Sequence, residues 1–355
     1  MHSLNAALLA LLAIRCNGQQ MPSGILGFNS GATKDNNAAK AQSDFQDEFT
    51  TAQDLRGSPG LFNSVRLYTM IQAGTQTDPI SAFPAALATN TSMLLGIWCS
   101  GTESIEKELT AMQKAIDQHG QQFADLVVAI SVGSEDLYRA SESGVQNDAG
   151  IGQGPDTIVK FIRDVRAAIN GTILSDKPVG HVDSWSAWAN ESNSAVVQEV
   201  DWLGTDVYPY YERDKGNDFS NATTIFDYIY GQSLNASQGK PVWVTETGYP
   251  GSGPDFGQAV ASVSNAGQYW QEIGCDRLFG RVNTWWYTLR DSNPANKEKF
   301  AITDDLSSTA KFNLTCAPGS GAPVAINLQS SAPSVYFDHV LFMLSVLTIG
   351  FWVVL

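Results

Sequence analysis

Eight short apolar runs recur along the chain with helix-like segments between them, and this alternation limits the fold more than any other feature. The runs lie at 24–29, 64–69, 93–99, 126–132, 179–183, 200–208, 242–245 and 281–287. Several are continuously apolar, as parallel strands covered on both faces must be. After the third run, Ser100-Gly-Thr-Glu103 has the Ser-x-x-Glu pattern of a capped helix start. Ile105, Leu109, Met112 and Ile116 then share one helical face. Gly154-Pro155-Asp156 opens a second helix whose buried side carries Ile158, Phe161, Ile162, Val165 and Ile169. Residues 259–273 form a third helical stretch. The pattern predicts an α/β fold, a (β/α)8 TIM barrel over residues 22–316. A doubly wound open sheet is the alternative, but Gly27-Phe-Asn-Ser-Gly lacks the GxGxxG spacing such a sheet brings after an early strand.

A barrel of this kind gathers its chemistry at the C-terminal ends of its strands. Glu135 closes the fourth run and Glu246 closes the seventh. Alternation puts Glu135 on one face with Ser131 and Gly133, and Ile130 with Val132 on the other. Two carboxyls at one mouth are what glycoside hydrolysis needs: one protonated to assist the leaving oxygen, one ionised to attack carbon or activate water. The alternative is that each caps a helix or pairs with a base. Tyr68, Trp98, Trp185, Tyr208, Tyr210, Trp285, Trp286 and Tyr287 also fall near predicted strand ends, where aromatic faces can stack on sugar rings. Of the adjacent Trp285 and Trp286, one is expected to face the cleft. Asn29, Asp183 and Asp206 are polar strand-end residues suited to sugar hydroxyls.

Charged residues make up only 16% of the chain and the net charge is −15, a balance that excludes nucleic acid as a partner and accommodates neutral polysaccharide. The apolar run at 6–14 reads as a signal peptide over 1–18. Six Asn-x-Ser/Thr sequons, at Asn90, Asn170, Asn190, Asn221, Asn235 and Asn313, fit the secretory route. Residues 317–339 read as a Ser/Gly/Pro/Ala linker holding a lipid-attachment window, and 340–355 as the apolar tail of a GPI signal. The chain is thus expected at the cell surface, secreted and lipid-anchored. Cys275 and Cys316 are placed to pair in an oxidising compartment, leaving Cys99 free. The cysteine spacings suggest no zinc site, and only His119 and His181 are central.

Five segments carry a family resemblance. Gly24-Ile-Leu-Gly-Phe-Asn29, Val65-Arg-Leu-Tyr68, Val132-Gly-Ser-Glu135-Asp-Leu-Tyr-Arg139, Val182-Asp-Ser-Trp185 and Val242-Trp-Val-Thr-Glu-Thr-Gly-Tyr-Pro250 resemble the fungal members of glycoside hydrolase family 17. These are cell-wall β-1,3-glucanases and transglycosylases. The resemblance runs from about residue 24 to 316 in order, and it implies a (β/α)8 barrel and a retaining mechanism. It makes Glu135 the general acid/base and Glu246 the nucleophile, with no metal or organic cofactor. It implies β-1,3-glucan as substrate, and the strand-end residues expected to bind it are Asn29, Tyr68, Trp98, Ser134, Asp183, Tyr208 and Trp285. Ser134 departs from the pattern, since many relatives carry Asn there, and Trp285-Trp-Tyr287 lacks the acidic residue many have after strand eight. The reading is an endo-acting hydrolase, acting as a monomer. A transglycosylase is the alternative, and a non-catalytic glucan-binding wall protein is the alternative from another class.

Overall fold

The computed structural model describes residues 24–318. The expected leader at 1–18 and apolar tail at 340–355 lie outside the described residues, as does nearly all of the linker at 317–339. The eight runs become β1 (Leu26–Ser30), β2 (Ser64–Leu67), β3 (Ser92–Ile97), β4 (Val127–Ser134), β5 (Val179–Ser184), β6 (Trp202–Val207), β7 (Val242–Thr247) and β8 (Thr284–Trp286). Each pairs parallel with the next and β8 returns to β1, closing the barrel. This is the expected (β/α)8 architecture.

Helices cover the outside. They are α1 (Gln42–Gln53), α2 (Ala82–Thr89), α3 (Glu106–Leu126), α4 (Asp136–Arg139), α5 (Glu142–Gln146), α6 (Pro155–Ile169), α7 (Trp185–Trp188), α8 (Ser194–Glu199), α9 (Ala222–Ala236) and α10 (Val263–Tyr269). Helix α6 buries the five predicted residues, from Ile158 to Ile169, against the barrel. Helix α3 begins at Glu106, later than the Ser-x-x-Glu pattern predicted. The Ser100 hydroxyl is instead engaged by Asp136 at 2.7 Å, so it caps nothing. The helix predicted at 259–273 starts at Val263, capped by the Ser262 hydroxyl, and widens into π-helical turns over Trp270–Leu278. That π segment holds Cys275, which is disulfide-bonded to Cys316. Cys99 is free and buried.

The strands divide their side chains by a period of two. Outward residues join the continuous apolar layer beneath the helices. Inward residues near the bottom form a second cluster of Leu94, Ala129, Val182, Trp202, Trp243 and Trp285. Trp202 and Trp243 stack with ring centroids 4.1 Å apart. Gly180 makes room for this floor, because a Cβ there would meet the Trp202 ring at 2.3 Å. Each buried indole contributes about 1.5–3 kcal/mol through apolar burial. The plug leaves only the upper layer of the barrel for chemistry.

Candidate active site

The upper layer is polar. Asn29 on β1, Arg66 on β2, Asp206 on β6 and Glu246 on β7 are all buried there. Glu246 reaches this layer through a bulge. Thr205 pairs with Val244 while Asp206 pairs with Glu246, so β7 carries Thr245 as an extra residue. Without the bulge, Glu246 would share the helix-facing side with Val244.

Three donors grip Glu246. Arg66 Nη1 lies 2.5 Å and Tyr68 Oη 2.6 Å from Oε1, and Tyr208 Oη lies 2.7 Å from Oε2. Arg66 is itself held: Nη1 donates to Asn29 Oδ1 and Nη2 to Ser134 Oγ, each at 2.9 Å. The Asn29 amide in turn donates to the carbonyls of Thr245 and Trp285, each at 3.0 Å. Burial opposes the Arg66 charge, but Glu246 and Asp206 beside it outweigh that and hold it protonated. Burial and the Glu246 charge also raise both tyrosine hydroxyls, which stay donors. A carboxylate accepting three short bonds is oriented and keeps one lone-pair direction open.

Glu135 is built differently. It follows β4 in the left-handed region, with φ 56° and ψ 24°. Its carboxyl has one ionic contact, a longer one of 3.3 Å from Oε2 to Arg139 Nη2. Burial pushes its pKa up to about 7, with repulsion from Glu246 and Asp183 adding to the rise and Arg139 opposing it. It therefore holds a proton at mildly acidic pH, as a general acid must.

Four of the expected sugar-binding residues, Asn29, Tyr68, Ser134 and Tyr208, converge on Glu246 or on the Arg66 that grips it. Trp98 sits near the other carboxyl, half-buried, with the Arg139 guanidinium 5.7 Å from its ring. Two expectations are corrected. Asp183 is fully buried and lies on the outward face of β5, where it accepts backbone N–H groups rather than facing the cleft. Trp285 is fully buried in the barrel floor, its indole N–H donating to Ser64 Oγ at 3.1 Å, so no ring face is open to a sugar. Trp286 turns outward against Trp270, leaving neither tryptophan at the cleft. Tyr287 takes that place: it is half-buried and 6.0 Å from the Tyr208 ring, in an aromatic wall completed by Tyr211 and Phe300. Trp185 is engaged too, donating to Glu212 at 2.6 Å with Lys215 Nζ 4.4 Å over its ring.

Sequence reasoning left Arg66 and Arg139 out of the site. A lone arginine inside an apolar strand was the available signal, because a buried guanidinium demands a partner. Five sequon asparagines are exposed, whereas Asn221 is half-buried with its amide donating to the carbonyls of Lys215 and Gly216.

The model of the BtgE/BtgC glycoside hydrolase domain matches residues 27–302. The chain is 53% identical over 293 residues to a probable glucan endo-1,3-beta-glucosidase of Aspergillus oryzae, covering 82% of this chain and 63% of that protein. It is 51% identical over 298 residues to one of the same name from Aspergillus fumigatus, covering 83% of this chain and 66% of that protein. The chain thus spans slightly less than two thirds of these curated relatives. Among solved structures, the family 17 β-1,3-glucanosyltransferase of Rhizomucor miehei superposes with a TM-score of 0.64 at 21% identity, over 84% of this chain and 97% of that one. That likeness is one of fold.

Proposed function

The chain belongs to the family of the BtgE/BtgC glycoside hydrolase domain, and on that premise we propose that it cleaves β-1,3-glucan internally with retention of configuration. The observation that carries this reading is the unequal setting of the two carboxyls. Glu246 accepts three short hydrogen bonds, and Glu135 is a buried group that holds a proton up to about pH 7. In the first step Glu135 gives that proton to the glycosidic oxygen while Glu246 bonds to the anomeric carbon and the glycosidic C–O bond breaks. In the second step Glu135 takes a proton from the incoming water, whose oxygen displaces Glu246. Relatives about half identical to this chain bear the name glucan endo-1,3-beta-glucosidase, which supports the substrate.

The test is the product profile on a linear laminari-oligosaccharide, with sizing and anomer analysis by NMR. Internal cleavage to shorter oligosaccharides with β-configured new ends is expected. Glu246→Gln and Glu135→Gln should each lower the rate by about 10³-fold or more. Release of glucose alone would overturn internal cleavage, and an initial α-anomer would overturn retention. Products longer than the substrate would assign the second step to a sugar acceptor, the transglycosylase reading. The same proposal carries the chain to the cell surface, consistent with a disulfide formed in an oxidising compartment. The apolar run at 340–355 would signal a GPI anchor. Release of the protein from membranes by a phosphatidylinositol-specific phospholipase C is the expected result.

A further inference from the structure

His181 and Asp183 lie side by side on the outward face of β5, fully buried, and neither reaches the cleft. Their bonds run instead to the turn that carries Glu135. Asp183 Oδ2 accepts from Leu137 N at 2.8 Å, and Oδ1 from Tyr138 N at 3.2 Å and Ser184 N at 2.8 Å. His181 Nε2 is 2.9 Å from Asp183 Oδ2, and Nδ1 is 2.6 Å from the Val132 carbonyl. A carbonyl oxygen only accepts, so Nδ1 must carry a proton. A carboxylate already taking three N–H donors also only accepts, so Nε2 must carry one too. Both partners thus demand the imidazolium.

The surroundings fit that charge. Asp183 flanks the ring on β5, and Asp136 approaches from α4, its Oδ2 accepting from Ser134 N at 2.9 Å. The Trp188 ring of α7 closes the site at 5.5 Å, edge to face. Gly133, at φ 86°, passes so close that a Cβ there would meet Asp136 Oδ2 at 2.5 Å and the His181 ring at 3.0 Å. The network therefore spans residues 132–138, before and after the left-handed Glu135. Glu135 N is itself tied to Val182 O at 2.9 Å, between the two β5 residues. A glutamate in that backbone region is held against a strain of about 1–3 kcal/mol, and β5 and Asp136 restrain the backbone on both of its sides, joined by Arg139 Nη1, which donates to Ser134 O at 2.6 Å.

We propose that His181, as an imidazolium bridging Asp183 and the Val132 carbonyl, is the positioning residue that locks the turn presenting the Glu135 acid. The proposal rests on the reading of Glu135 as general acid. It acts on one event, delivery of the Glu135 proton to the leaving oxygen as the glycosidic bond breaks, and not on attack by Glu246.

Leaving-group dependence separates these events. A laminari-oligosaccharide needs its leaving oxygen protonated, and a 2,4-dinitrophenyl β-laminaribioside does not. For His181→Gln, kcat/KM on the oligosaccharide should fall about 100-fold, while kcat/KM on the aryl glycoside stays within about threefold. Glu135→Gln should give the same split, more strongly, and Glu246→Gln should abolish both reactions. Equal losses on both substrates for His181→Gln, or no loss, would overturn the positioning role. Absence of the split in Glu135→Gln would instead overturn the reading of Glu135. Asp183→Asn offers the same readout should His181→Gln fail to fold. In the wild-type protein, a long-range 1H–15N spectrum near pH 6 should show one solvent-protected imidazole with both nitrogens protonated; a neutral ring there would also overturn the proposal.

Discussion

Asp206 stands opposite Glu246 in the β6–β7 register, and the hydroxyl of the bulged Thr245 donates to Asp206 Oδ1 at 2.8 Å. Asp206 Oδ2 is buried and has no hydrogen-bond partner among the described residues. Burial raises the Asp206 pKa well above its ordinary value, and the Glu246 charge beside it raises it further against the pull of Arg66. Asp206 and Glu246 thus lie buried side by side around the Arg66 guanidinium, and the nearness of the two carboxyls raises the Asp206 pKa.

Asp206 accordingly keeps its proton to higher pH than an ordinary carboxyl, and asparagine is the isostere of that protonated form. Asp206→Asn should lower kcat by less than about tenfold, where loss of an essential carboxylate costs at least about 10³-fold. The sign for stability follows from the raised native pKa. The acid contributes stability below its unfolded value, and that contribution is lost as pH rises towards the native one. Chemical denaturation at pH 4 and pH 7 should therefore show Asp206→Asn gaining on wild type as pH rises.

Glu135 gives a second pH prediction. Its pKa goes from an ordinary 4.5 to about 7. The alkaline limb of kcat/KM on glucan should fall near pH 7, as the acid loses its proton. Its contribution to stability is complete below about pH 4.5 and lost through pH 7, on the order of 3 kcal/mol. Relative to wild type, Glu135→Gln should gain about that much between pH 4.5 and 8, measured by denaturant titration. A difference independent of pH would contradict the assignment.

The Arg66 fork serves Glu246, Asn29 and Ser134 at once. A lysine ammonium is a single point and cannot span those acceptors. Arg66→Lys should reduce kcat about 10²–10³-fold with KM within about threefold. Steady-state kinetics on laminari-oligosaccharides checks this, and a pure KM effect would count against it.

The disulfide ties the π segment after α10 to the final strap, where Trp270 Nε1 also donates to Leu314 O at 3.0 Å. Replacing Cys275 and Cys316 by serine should cost about 2–4 kcal/mol. Thermal melts should shift down by about 3–6 °C. Addition of reductant should reproduce that shift in the wild type and leave the double variant unchanged.

The eight apolar runs and the ends of the fourth and seventh were legible because parallel strands buried on both faces write an unbroken apolar code. The α6 face was legible for the same kind of reason, its period of 3.6. Side-chain direction near strand ends was harder to read. Asp183 and Trp285 are both where the pattern put them along the chain. Asp183 turns out towards α4, and Trp285 points inward one layer too deep.

From the sequence alone came the barrel, its strand positions and the two glutamates at the ends of β4 and β7, all of which follow from local periodicity. Tertiary structure decided what those glutamates can do. An extra residue at Thr245 turns Glu246 inward, and a left-handed backbone held from β5 presents Glu135. The clamp on Glu246 joins residues 180 positions apart, Arg66 and Glu246. No local pattern encodes such a contact, because it exists only once barrel closure brings β2 and β7 to face one another across the same buried layer.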